Sequence, residues 1–160
     1  MKLVEILRYA RVPVEMNVKP GENVVVVSDT DTEPLVYESI AAAAFEIGAE
    51  VTVVVMTPRP MHGHEPPRPV AEAMKGADVL ICSASRSLTH TEAVRNALKK
   101  GVKYVAMPQV TVDLLTKGAA TADYAEVLRT TEALARVLSR TDVVRVTSGE
   151  GTDVRFSVKG

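Results

Sequence analysis

The chain has 160 residues but no tryptophan, two phenylalanines, four tyrosines and a single cysteine, Cys82. One thiol can build neither an internal disulfide nor a cysteine-based zinc site, so a reducing, cytoplasmic setting is expected. Charge of one sign is missing too. Nineteen Lys and Arg stand against twenty Asp and Glu, a formal net charge of −1, without the basic excess that binding a phosphate backbone demands. Nucleic acid is thereby excluded as the main partner. No apolar run approaches ~18 residues, and Lys2, Glu5 and Arg8 interrupt the start too often for a signal peptide's apolar core. Neither a membrane span nor a secretion signal is expected.

What is present is an alternation of short β-branched runs with longer stretches rich in alanine, leucine and charge, the pattern of an α/β fold. The runs are Val24–Val27, Val51–Val55, Val79–Cys82, Tyr104–Met107 and Val143–Val146. Their continuous apolarity predicts strands covered on both faces. Between the first two, Val36, Ile40, Ala43, Ala44 and Ile47 form one helical stripe over Pro34–Ile47, and Gly48 offers a stop. Further helices are expected over Val70–Lys75, His90–Lys100 and Ala122–Ser139. Such β-α-β units imply a three-layer, Rossmann-like, doubly wound, mostly parallel sheet of about five strands. Val154, Phe156 and Val158 alternate with Arg155, Ser157 and Lys159 after a turn-like Ser148–Thr152, which predicts a C-terminal antiparallel hairpin extension with one wet face. The whole, 1–160, reads as a single α/β domain.

Ligands of a doubly wound sheet sit at the C-terminal ends of its strands. After the first strand, Ser28-Asp29-Thr30-Asp31-Thr32-Glu33-Pro34 has no glycine to admit a pyrophosphate, and its three carboxylates would repel one. Asp31 or Thr32 can cap the next helix, and Glu33 and Pro34 suit its first turn. Asp29 is left as a candidate contact for a cationic or hydroxyl-bearing ligand. After the third strand, Thr89-His90-Thr91-Glu92 matches a capping box, with Thr89 as N-cap and Glu92 as its partner. His90 would then be the first helical residue, at the positive helix end that disfavours imidazolium, and available for proton transfer. The alternative is a solvent-facing histidine at an ordinary helix start.

Five of the thirteen residues of the segment 57–69 are proline, which excludes helix and central strand. Within it, His62, His64 and Glu65 are candidate metal ligands if the segment is extended. The alternatives are an exposed loop or a lid that meets another domain.

A set of short motifs recurs in one order: Val18-Lys19-Pro20-Gly21-Glu22, Asp29, His62-Gly63, Glu65-Pro66-Pro67, Ala73-Met74, Ala77-Asp78, Ser87-Leu88-Thr89-His90-Thr91, Met107-Pro108, Asp123-Tyr124, Thr147-Ser148 and Gly151-Thr152-Asp153. In these the chain resembles the N-terminal half of the family that groups M29-type leucyl aminopeptidases with 2,5-dihydroxypyridine 5,6-dioxygenases. The His-Gly-x-Glu-Pro-Pro loop leans toward the dioxygenase branch. The resemblance implies the N-terminal domain of a metalloenzyme about twice this length, whose metal ligands lie in a C-terminal domain that is missing here. It implies iron or zinc in the full-length enzyme, no cofactor and no activity for this chain alone, a small-molecule or peptide substrate, and a homo-oligomer. His90 would be the catalytic, substrate-facing group, with Ser87, Leu88 and Asp29 binding substrate. The rival reading is a small-ligand-binding module, with donors from Ser85, Arg86 and Ser87, or a dimerisation module without catalysis.

Overall fold

The computed structural model describes residues 2–118 and 121–159, which fall into two compact units, Met1–Thr121 and Ala122–Gly160. The first unit runs α1 (Lys2–Glu15), β1 (Asn23–Asp29), α2 (Pro34–Ile47), β2 (Glu50–Met56), α3 (Arg68–Lys75), β3 (Val79–Cys82), α4 (Glu92–Lys99), β4 (Lys103–Ala106) and α5 (Val112–Lys117). Its four strands are all parallel, in the order β2-β1-β3-β4.

Alternation along the two central strands divides the core. Val24, Val26, Val79 and Ile81 face α1, α2 and α5, meeting Ile6, Ala10, Val14, Val36, Ile40 and Leu115. Val25, Val27, Leu80 and Cys82 face α3 and α4, meeting Val70, Met74, Ala93, Val94 and Ala97. The three-layer α/β architecture expected from the sequence is therefore present. α2 has the expected bounds, and Gly48 ends it in the left-handed region (φ 93°), where its N–H caps the carbonyls of Ala44 and Phe45.

The parallel sheet has four strands rather than about five. Val143–Thr147 forms β5, which pairs antiparallel with β6 (Asp153–Ser157) in a separate ribbon of the second unit, the unit that also contains α6 (Tyr124–Leu138). Arg145 explains the departure: a charged side chain in mid-strand cannot be covered on both faces, whereas on the ribbon it reaches across to Asp153 Oδ1 and Oδ2 at 2.8 and 2.7 Å. The short turn at Ser148–Thr152 also makes local pairing entropically cheaper than a long crossover. The ribbon itself, with Val144 opposite Phe156 and Val146 opposite Val154, is the expected antiparallel hairpin, but Val146, Val154 and Phe156 are 47%, 50% and 46% exposed, so the face expected to be dry is open as well.

Full coverage holds only for β1 and β3. β2 is an edge strand, and Val53 and Val55 remain 41% and 42% exposed. α1, with Ile6, Ala10 and Val14 on its buried stripe, and the short α5 add to the elements expected from the sequence. No helix among the described residues is long and apolar enough to cross a membrane.

This division of the core sets unequal costs for truncation. Ile81→Ala should lower unfolding free energy by about 2–5 kcal/mol, and Phe45→Ala, on the exposed side of α2, by less than about 1 kcal/mol. Urea denaturation followed by circular dichroism checks both.

Candidate functional site

With strand order β2-β1-β3-β4, the chain leaves β1 toward one edge and β3 toward the other, so the crevice between their C-terminal ends is the topological switch point. Asp29 closes β1 there, fully buried. Burying a carboxylate is costly unless its oxygens find donors, and each finds two. Oδ1 accepts from Thr32 N at 3.1 Å and Thr32 Oγ1 at 3.0 Å; Oδ2 accepts from Ser85 N at 2.9 Å and Ser85 Oγ at 2.7 Å. Thr32 Oγ1 also lies 3.1 Å from the Ser83 carbonyl. Asp29 thus ties the loop after β1 to the loop after β3. The α2 N-cap, Glu33, makes no side-chain capping bond, so Thr32 serves this tie rather than the helix.

Above the tie lies an open cavity of about 270 Å³, lined by Asp31, Thr32, Glu33, Ser85, Arg86 and Gln109 with Val110 and Thr111. Its charges are mixed. Ser28 and Ser83, which follow the paired Val27 and Cys82, are buried on the same side of the sheet, and their hydroxyls have no partner among the described residues.

The loop from β3 to α4 carries Ser87, Leu88 and His90. α4 begins two residues later than the sequence suggests: Thr91 is the N-cap and accepts from Val94 N at 3.3 Å, while Glu92 is the first helical residue. The capping-box carboxylate comes from elsewhere. Glu65, 27 residues upstream, accepts from the backbone N–H of Glu92 through Oε1 and from that of Ala93, at 3.1 Å, through Oε2. Glu92 pairs with Arg95 instead. His90 therefore stands exposed in the turn before the helix, its carbonyl held by Arg95 Nη1 at 2.9 Å, and its imidazole lies outside the first helical turn expected from the sequence. Leu88 is fully buried in the core beneath α3 and α4.

The proline-rich segment turns where the metal reading needed it extended: Gly63 has φ 81°, and His64 N reaches back to the Met61 carbonyl. His62 and Gly63 clasp Ser87 by its backbone, with Ser87 N donating to His62 Nδ1 at 2.9 Å and Gly63 N donating to the Ser87 carbonyl at 2.9 Å. His62 and Glu65 are thus committed to the β3–α4 loop. No group of three or more His, Cys, Asp or Glu suited to hold a metal occurs among the described residues.

A string of hydroxyls runs inward from the same loop. Ser87 Oγ donates to Thr89 Oγ1 at 3.0 Å, which lies 3.2 Å from the Tyr104 hydroxyl. Burial pushes the Tyr104 phenol up to about 12 and the neighbouring Cys82 thiol up to about 12, so both are neutral at pH 7. Sequence reasoning missed Thr32, Glu65 as a cap, and Tyr104. Thr32 and Glu65 did carry local signals, as a supposed helix cap and a supposed metal ligand, but the bonds of Thr32 to the Ser83 carbonyl, of Glu65 to the start of α4 and of Tyr104 to Thr89 join segments that the sequence keeps apart.

A family model described as 2,5-dihydroxypyridine 5,6-dioxygenase (NicX) matches residues 8–160. Among solved structures, the 2,5-dihydroxypyridine dioxygenase from Pseudomonas putida KT2440 is similar, with a TM-score of 0.75 at 15% identity. The match covers 98% of this chain and 48% of that one, so this chain spans about half the length of that relative. No curated protein matches.

Three outcomes follow from these side chains. Asp29→Ala strands the Ser85 and Thr32 N–H groups and should cost about 3 kcal/mol in urea denaturation. Cys82 should resist iodoacetamide in the native protein at pH 8 and react fully in guanidinium. Because its folded value lies above the ordinary 9.0, the unfolded chain loses that proton first, so stability falls as pH rises from about 9 toward 12, measurable by denaturation across that range.

Proposed function

The chain belongs to the 2,5-dihydroxypyridine 5,6-dioxygenase family, and on that premise we propose that it is the N-terminal α/β half of a ring-cleaving dioxygenase. The observation that carries this reading is the family match over residues 8–160. A hydroxylated nitrogen heterocycle is the substrate class it suggests. The peptidase side of the sequence resemblance rests on short motifs alone and gains no support from the matches.

In this reading His90 meets the reacting ring. It is exposed at the crest of a loop fixed from three sides: by Asp29 at Ser85, by His62 and Gly63 at Ser87, and by Glu65 at the start of α4. An imidazole so held can take the proton of a ring hydroxyl or return it without the loop having to reorganise. Ser87, half-buried, adds a hydroxyl that is already aligned by Thr89. Asp29 and Leu88 act from beneath, as the charge and the apolar anchor that set the loop, rather than by touching substrate.

The residues described here do not fit the divalent metal that the resemblance implies, since His62 and Glu65 are engaged by the β3–α4 loop. No step of the chemistry is therefore assigned to a metal on this chain. The partner in this reading is a second half that supplies the iron or zinc, consistent with a relative of about twice the matched length.

The test uses the chain as it stands. With ferrous iron, oxygen and 2,5-dihydroxypyridine it should show no turnover. In an anaerobic NMR titration the same compound should shift amide signals confined to Ser85–Thr91, with affinity falling about fivefold in His90→Ala at unchanged melting temperature. Turnover by this chain, shifts elsewhere, or an unaffected His90→Ala would each overturn the proposal.

A further inference from the structure

Three loops meet around the 270 Å³ cavity at the C-terminal end of the sheet, and each brings to it a polar side chain that the fold does not use. From the β3–α4 loop comes Arg86, half-buried, which bonds among the described residues only to the neighbouring Ser85 carbonyl, through Nη1 at 3.2 Å. It forms no ion pair among them, although Asp31 and Glu33 of the β1–α2 loop line the same cavity. Those two carboxylates are exposed and equally unpaired, and Glu33, the N-cap of α2, makes no capping bond. From the β4–α5 loop comes Gln109, the one described residue other than glycine with a positive φ, 58°. A side chain adopts that conformation at a cost. Here the Gln109 N–H donates to the Ala84 carbonyl at 3.1 Å, which holds a free side-chain amide at the cavity wall.

The strand ends add an independent observation. Ser83 N donates to the Val27 carbonyl at 2.8 Å, so the parallel ladder continues to Ser28 and Ser83. Alternation turns both side chains the way of Val26 and Ile81, into the layer of α2 and α5. The N-caps of those two helices, Glu33 and Thr111, line the cavity. Both serine hydroxyls are fully buried and have no partner among the described residues. Buried hydroxyls are ordinarily paired, so hydrogen-bonding capacity is left unspent at this end of the sheet.

We propose that the cavity binds a small zwitterion of the amino-acid type, its carboxylate on Arg86 and Gln109 and its ammonium on Asp31 and Glu33. A planar guanidinium with most of its donors free matches a carboxylate. Because Arg86 does not pair with Asp31 or Glu33, both signs of charge remain available to a ligand. The Asp29 tie holds the two loops that carry them at a set separation. Charge also decides what is refused: a dianion or a phosphate would face Asp31 and Glu33, and a diamine would face Arg86. At about 270 Å³ the cavity is at the small end of ligand sites. His90 does not line it, and the inference does not depend on the dioxygenase reading.

Calorimetric titration of the full chain at low ionic strength, where charge pairing is least screened, tests this with three probes of similar length: 4-aminobutyrate, succinate and 1,4-diaminobutane. 4-Aminobutyrate should bind with a Kd below about 1 mM, and the other two at least about tenfold more weakly. Its amide NMR shifts should fall in the loops that carry Thr32, Arg86 and Gln109. Arg86→Gln should weaken its binding by about tenfold or more. Asp31→Asn combined with Glu33→Gln changes only exposed side chains and should invert the preference, so that succinate binds more tightly than 4-aminobutyrate. Damage to the fold would weaken all three probes together and could not invert their order. A wild type that leaves 4-aminobutyrate unbound at about 10 mM would overturn the proposal. So would equal affinity for the three probes, shifts outside these loops, or a preference that the double variant leaves as it was.

Discussion

A buried carboxylate organises the candidate site of this protein. Asp29 lies at the switch point of the sheet, out of water, and a charge there is tolerated only while its oxygens are saturated by donors. Two come from Thr32 and two from Ser85, on the two loops that diverge from the crevice. The penalty for an unpaired buried charge thus becomes a positional constraint. Ser85 is fixed relative to β1, and the loop that continues through Ser87 and His90 starts from a set point.

A second constraint acts on the far side of that loop. The proline-rich segment has few ways to fold, because its prolines fix φ and lack the N–H groups that regular structure would use. Its polar side chains spend their capacity on the β3–α4 loop instead: His62 on Ser87, Glu65 on the exposed N–H groups at the start of α4. A carboxylate at a helix N-terminus is favoured both by hydrogen bonding and by the helix dipole. Together with Asp29 it fixes the loop at both ends while leaving His90 exposed.

The local rules worked where neighbouring residues decide the outcome. The Pro34 and Gly48 boundaries of α2, the apolar strands β1 and β3, the hairpin alternation and the buried Cys82 were legible because each depends on residues a few positions apart. They failed where competition between distant groups decides. The capping-box pattern at Thr89 was a valid local solution, but Thr91 could cap just as well and Glu65 could supply the carboxylate. The Val143–Val146 run resembled a sheet strand until Arg145 found Asp153 across a ribbon. The apolarity of β2 predicted burial, yet its place at the end of the strand order left it at the edge.

The sequence by itself determined the α/β class, the parallel core and the stretch of chain in which the candidate site lies, because periodicity and turn chemistry are short-range properties. Tertiary structure decided the number of strands in the sheet, the start of α4, and the division of labour among the polar residues. Asp29 became a buried tie, Leu88 core, His62 and Glu65 a clasp, and His90 the exposed group. Which donor satisfies which acceptor depends on chain segments up to 56 residues apart being brought to one crevice, and only the folded arrangement of the strands does that.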